Sequence, residues 1–277
     1  MNRNELLKPL LPSTAPLVIT QLVSGYEKDI DIVKGVSLEL QPRTFSCILG
    51  ANGCGKTTFL KTLLGILPAR RGKVHCNNTD ILSLNESQRA KYLAYIPQAH
   101  RPPFPFTVSD VVRMGRTPHL STLSRETVQD REISEACLDQ VGLLKLAQVP
   151  YTLLSGGQQQ LVIIARALAQ QASFLIMDEP ISSLDYGNQY RVLDEIAKLC
   201  ELGLGVLMVT HDPAHCFHAA DQVIIMEDGF FISAASPQEA MTSQSLSALY
   251  HLPVSVQRIK VPENRIQSVC IPLTRYS

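Results

Sequence analysis

Gly50-Ala51-Asn52-Gly53-Cys54-Gly55-Lys56-Thr57-Thr58 is the stretch on which the reading of this chain turns. It satisfies the pattern G-x-x-x-x-G-K-[ST], and its flanks supply the required setting. The apolar run from Phe45 to Leu49 reads as a strand, and Phe59 to Leu64 continues a helix. Gly50, Gly53 and Gly55 permit backbone angles that side chains forbid, so successive N–H groups can turn inward around an anion. The helix that begins near Lys56 adds the positive end of its dipole. In such a loop Lys56 reaches the β- and γ-phosphates, Thr57 offers a hydroxyl to Mg²⁺, and Thr58 places another near the α-phosphate. The cation-rich helix start beside Cys54 predicts a lowered thiol pKa and sensitivity to thiol reagents.

Downstream, the run Phe174-Leu175-Ile176-Met177-Asp178-Glu179-Pro180 has the unbroken apolar character of a central parallel strand and ends in two carboxylates. Ligands of doubly wound sheets lie at the carboxyl ends of the strands, which puts Asp178 beside the phosphate loop. Asp178 is the candidate Mg²⁺ ligand, through water, and Glu179 the candidate general base. The strand at 205–209 ends at His211 in the same crevice, within reach of a γ-phosphate. Leu154-Ser155-Gly156-Gly157-Gln158 opens a helix and forms a second small anion nest. Ser182-Ser183-Leu184-Asp185 is a turn that leads into a helix over 187–202. His211, His215 and His218 fall at helical spacing around Cys216, but Pro213 starts the helix after His211; His215 and His218 read as solvent-facing or packing residues rather than zinc ligands.

Upstream, strands are expected at 17–23 and 36–40. Tyr26 offers a ring face to a base, or is a plain turn aromatic. A strand at 92–96 ends at Pro97-Gln98, and a proline-rich loop follows to Phe106. Helices are expected over 107–114 and 126–141, so that 89–151 forms a largely helical insertion. A hairpin at 221–234, one helix over 236–250 and two short strands over 253–272 complete the chain.

At 277 residues, one or two domains are expected, and 25 basic against 25 acidic residues leave no strong nucleic-acid footprint. No apolar run approaches the ~20 residues that span a bilayer. The seven cysteines include no C-x-x-C pair, which argues against a disulfide framework or zinc ribbon and for a reducing compartment. The first sixteen residues read as an irregular extension, without the pattern of a signal peptide.

In their order and spacing these motifs resemble those of the nucleotide-binding subunits of ABC transporters, over nearly the whole chain. The resemblance implies an α/β P-loop NTPase fold of the ABC ATPase type: a mostly parallel core sheet, an N-terminal antiparallel β subdomain and a helical insertion. It divides the chain into an extension (1–16), an ATPase domain (17–250) and a C-terminal β tail (251–277). It makes Tyr26 the adenine-stacking aromatic and Gly50 to Thr58 the Walker A loop, with Ala51, Asn52 and Cys54 in its backbone. Gln98 becomes the Q-loop glutamine and a Mg²⁺ contact, Asp178 and Glu179 the Walker B pair, and His211 the switch histidine; Glu179, His211 and Lys56 are the catalytic set. Leu154, Ser155, Gly156, Gly157 and Gln158 become the signature, which closes over ATP held by a second copy, and Ser182, Ser183, Leu184 and Asp185 the D-loop.

The implied cofactors are ATP and Mg²⁺. The implied partners are a second copy in a head-to-tail dimer, two permease subunits and, indirectly, a substrate-binding protein, on the cytoplasmic face of the plasma membrane. The segment 107–119 is similar to importers of metal chelates: ferric siderophores, haem, cobalamin and, in some branches, molybdate. A soluble ABC ATPase of the iron–sulfur assembly type is the alternative. Ala51 replaces the usual proline and Cys54 the usual serine, side chains that an amide cradle does not need; Gln160 and Leu161 stand where arginine often occurs, without a physical account.

Overall fold

Three runs, FSCIL, FLIMD and GVLMVT, are apolar without alternation, and each is buried along its whole length. They form β3 (Phe45–Leu49), β7 (Phe174–Asp178) and β8 (Gly205–Thr210), the middle of a six-stranded sheet. A strand covered on both faces has no reason to alternate, which is why these segments read as unbroken apolar runs. The structure, a computed structural model, describes residues 15–98, 105–120, 126–260, 262 and 266–273. Most of the proline-rich loop after Gln98 and the first fourteen residues of the extension lie outside them.

Around that centre come β1 (Leu17–Ser24), β2 (Val33–Leu40), β4 (Arg71–Cys76), β5 (Thr79–Asp80), β6 (Leu93–Ile96), β9 (Gln222–Glu227) and β10 (Phe230–Ala235). The large sheet has the order β10-β9-β3-β8-β7-β6; its pairs are parallel except β10 with β9. A separate antiparallel sheet runs β2-β1-β4-β5. Between the two sheets lies α1 (Lys56–Leu63), whose Phe59, Leu60 and Leu63 are wholly buried with Leu17, Ile19 and Ile48. Phe59 meets Phe231 edge to face at 5.1 Å.

The opposite face of the large sheet carries a helical layer: α3 (Val108–Arg113), α4 (Val128–Gln140) and α5 (Gly156–Ala169), preceded in chain order by the single turn α2 (Glu86–Arg89). Each of the three begins with a capping box, in which Thr107, Thr127 and Ser155 accept from the backbone N–H three residues on. Val111, Ile133, Leu138 and Ile163 close the core beneath them. The expected strand at the start of the span 89–151 belongs to the large sheet rather than to the helical layer. Leu93, Ala94 and Ile96 pair with β7 as the outer strand of the large sheet, and the helical part runs from Val108 beyond 151 into α5.

After β7 come α6 (Tyr186–Glu201) and α7 (Pro213–Ala219), and after β10 come α8 (Pro237–Ala240) and α9 (Ser243–Tyr250). The single helix expected over 236–250 is thus two. Thr242 takes extended angles and caps a new helix, accepting from Ser245 N–H, so a local side-chain bond outcompetes helix continuation. A hairpin of β11 (Val254–Lys260) and β12 (Ile266–Pro272) packs against α9 and α7.

Candidate active site

Register decides what meets at the top of the sheet. Leu49 lies opposite Thr210, and Asp178 opposite Val209, so the residues that follow these strand ends, Gly50, His211 and Glu179, emerge side by side. Glu179 and His211 border a cavity of about 400 Å³ formed with Asn52, Gly53, Gly55, Lys56, Thr57 and Thr58 of the loop, Gln98, Asp178 and Ile32.

The loop glycines are required by contacts as well as angles. A Cβ on Gly50 would lie 2.5 Å from Met226 O, and Gly55 takes φ +109° with Ile32 O only 3.2 Å from a Cβ position. Lys56 is 6% exposed; its Nζ donates to Gly50 O at 2.7 Å and Ala51 O at 2.9 Å, so the loop's own carbonyls hold the buried ammonium. Thr57 Oγ1 donates to Asp178 Oδ2 at 3.2 Å and thereby joins the loop to the end of β7. Burial pushes the Asp178 carboxyl above its ordinary pKa, against the opposing effects of the Thr57 bond and the Lys56 and Lys61 charges.

Glu179 is gripped on both oxygens. Gln98 Nε2 donates to Oε2 at 3.2 Å, and His211 Nδ1 lies 3.0 Å from Oε1. An ionised carboxylate only accepts, which assigns the proton to Nδ1 of His211. Backbone fixes the same residues: Glu179 N–H donates to Val209 O at 3.1 Å, and Tyr250 Oη donates to His211 O at 2.8 Å. Ser182 Oγ donates to Glu179 O at 3.0 Å, so the turn 182–185 begins on this carboxylate's own backbone.

The serine–glycine turn is elsewhere. Leu154, Ser155, Gly156, Gly157 and Gln158 are absent from the cavity wall and open α5 in the helical layer. There Gly156 lies under Leu184, and a Cβ on Gly157 would meet Asn188 at 2.9 Å. Asn188 is in turn held by Asp185, which accepts from its N–H at 2.9 Å and its Nδ2 at 2.7 Å. The serine–glycine turn and the segment after β7 are thus neighbours within one copy.

Tyr26 is exposed and outside the cavity wall; Lys61 lies 5.5 Å from its ring centre and donates to its hydroxyl at 3.3 Å. Cys54 runs against expectation. It is almost buried, and desolvation raises its thiol pKa despite the lowering effect of Lys56. Among the described residues no group of three or more His, Cys, Asp or Glu side chains is placed to hold a metal, and His218 instead pairs with Asp194 at 2.7 Å. Two participants escaped the sequence reading. Ile32, the last residue of the turn before β2, carries a weak signal, and Tyr250, 39 residues beyond its partner, carries none.

Comparison with known proteins accords with this geometry. The ABC transporter family model matches residues 33–182. The iron(3+)-hydroxamate import ATP-binding protein FhuC of Bacillus subtilis is 34% identical over 85% of this chain and 88% of its own. The molybdate import ATP-binding protein MolC of Haemophilus influenzae is 31% identical over 90% and 93%. Among solved structures, a metal-chelate type ABC transporter in an inward-facing conformation superposes with a TM-score of 0.83 at 30% identity, covering 94% of this chain and 98% of that one. With a family model over more than half its length and relatives matched nearly end to end, the chain belongs to the ATP-binding subunits of ABC transporters, which hydrolyse ATP to drive transport.

Proposed function

We propose that this chain energises the import of a metal chelate, of the iron–hydroxamate or hemin class, by hydrolysing Mg²⁺-ATP at the cavity above β3, β7 and β8. The observation that carries the hydrolytic reading is Glu179, held by Gln98 on one oxygen and His211 on the other at the mouth of the phosphate loop. A carboxylate fixed on two donors has a defined direction in which to accept a proton from water. The loop amides and Lys56 hold the β- and γ-phosphates; for Lys56 this means exchanging two carbonyl partners for phosphate oxygens. The Thr57 hydroxyl and the buried Asp178 carboxylate are hard oxygen donors already in contact, a set that fits Mg²⁺, with Gln98 adjoining. The ion would offset the negative charge gathering on the phosphates. Tyr26 is proposed to stack on adenine.

Because Ser155, Gly156 and Gly157 are outside the cavity wall, a second copy is proposed to bring them over the γ-phosphate in a head-to-tail dimer. Residues 17–250 form the ATPase unit in this reading and 251–277 its tail. No described helix is long and apolar enough to cross a membrane. Attachment to the cytoplasmic face is therefore proposed to run through two permease subunits, received at a groove of about 760 Å³ between Tyr95, Met114, Gly115 and Arg166. Support for the cargo comes from the iron–hydroxamate relative and the metal-chelate type structure.

The test is Glu179→Gln. Turnover should fall by roughly 10² or more while ATP binding persists, the loss expected of a general base. Hydrolysis within a few-fold of the parent would remove Glu179 from that role. Ferric-hydroxamate stimulation of the ATPase, in proteoliposomes holding the permease and binding protein, tests the cargo; stimulation by molybdate alone would reassign it.

A further inference from the structure

Beside Glu179 and His211 lies a small space of about 90 Å³, bordered also by Ile181, Gln189, Met208, Thr210 and His215. His215, on α7, is 6% exposed, and the proposed hydrolysis makes no use of it. Its Nδ1 lies 3.2 Å from Thr210 Oγ1, and its Nε2 lies 3.3 Å from Gln189 Oε1. The neighbours fix each proton in this series. Gln189 Nε2 donates to Leu184 O at 3.0 Å, which turns the amide oxygen towards His215. That oxygen only accepts, so Nε2 of His215 carries the proton and Nδ1 is bare. Thr210 Oγ1 accepts from Asp212 N–H at 3.1 Å and gives its own proton to Nδ1. The result is a one-way series: Thr210 to His215, His215 to Gln189, Gln189 to Leu184.

We infer that His215 is a positioning residue which, as the neutral Nε2–H tautomer, ties the turn 182–185 to the strand end carrying His211. The inference rests on the hydrolytic reading of Glu179 and His211 and deepens it by naming how that pair is regulated. The turn then touches the site twice. At its start Ser182 holds Glu179 O, and at its end Leu184 reaches Thr210, the residue before His211, through Gln189 and His215. The same Leu184 lies against Gly156 of the serine–glycine turn. A second copy pressing on this exposed turn would therefore shift Glu179 itself, through its backbone carbonyl, and His211, one of the two groups that grip the proposed water-activating carboxylate.

The surroundings favour the neutral ring. Burial lowers the His215 pKa, and the nearby His211 and His218 act in the same direction. Asp212, 3.7 Å from Nε2, acts in the opposite one. Tyr190 adds an edge-on ring at 6.2 Å, and Asp194 beyond it is taken up by His218. Protonation would make Nδ1 a second donor and reverse the Thr210 link, so that the hydroxyl has to accept and the one-way order of the series is lost.

Nitrogen-15 NMR of the histidine-labelled full chain reads the tautomer without any substitution. At pH 7.5, His215 should show a protonated Nε2 and a bare Nδ1; the opposite tautomer or a cation would overturn the inference. His215→Phe and Gln189→Leu test the coupling by ATPase kinetics. Each should lower kcat about tenfold, the worth of one buried hydrogen bond, with KM for ATP within about twofold. The double variant should fall no further than the weaker single. Losses that multiply to about a hundredfold would show two independent sites and refute the series, as would losses confined to KM. Failure of the underlying reading shows separately, as a parent activity insensitive to Glu179→Gln, whereas a wrong tautomer alongside intact Glu179 dependence sinks this inference alone.

Discussion

Replacing Arg116 with methionine would leave a carboxylate unpaired inside the helical layer. Arg116 Nε donates to Asp130 Oδ1 at 2.8 Å, with the two side chains only 6% and 8% exposed. The guanidinium also donates to Ala169 O at 2.7 Å and to Gln171, so one side chain ties the segment after α3 to both α4 and the end of α5. Desolvation alone would raise the Asp130 pKa; the Thr127 hydrogen bonds and then Arg116 bring it down from an ordinary 3.8 to about 2. At 1.36 kcal/mol per unit, that depression corresponds to about 2 kcal/mol of folding stability. The folded value lies below the unfolded one, so the contribution is complete above pH 3.8 and is lost as pH falls through about 2. Arg116→Met removes the partner and leaves the charge buried, and should cost about 3 kcal/mol at pH 7. Adding Asp130→Asn should recover about 1 kcal/mol or more of that loss. Urea unfolding followed by circular dichroism measures each value. A cost under about 1 kcal/mol for Arg116→Met would refute the reasoning, as would a double variant no more stable than the single.

Gly157→Ala should lower ATP turnover tenfold or more and leave nucleotide Kd within about twofold, because its Cβ would push on Asn188 at 2.9 Å, away from the nucleotide cavity. Parallel turnover and nucleotide-fluorescence titrations check this, and a loss of affinity would contradict it. Cys54 should react with a disulfide reagent at pH 7.5 at least tenfold more slowly than a free thiol, since burial raises its pKa, and faster as pH rises. Rapid labelling in the folded chain would reverse the sign assigned to its surroundings.

The legible part of this molecule was local. Glycines that must turn, a lysine at a helix start and carboxylates ending an apolar strand each announce a backbone geometry within a few residues, and the sheet register brought them together. What stayed illegible was set by contacts between distant segments. The sequence around His215 spoke only of helical spacing, whereas its two hydrogen bonds come from β8 and α6. Cys54 was misjudged because a nearby charge is visible in sequence and burial is not. Leu93–Ile96 read correctly as a strand, but nothing within it told that it would join the large sheet beside β7. The break at Thr242 is legible as capping chemistry, a threonine followed three residues later by Ser245.

Glu179 sits at φ +47°, a left-handed conformation that disfavours ordinary side chains by about 1 kcal/mol or more. Glycine or asparagine would relax that corner while deleting the carboxylate. If Glu179 has the role proposed above, random mutagenesis screened only for heat resistance would therefore enrich inert proteins with sounder backbones at this position. The residue proposed as general base is thus also one whose removal the fold would welcome, and in that reading its retention has to be enforced by selection for turnover.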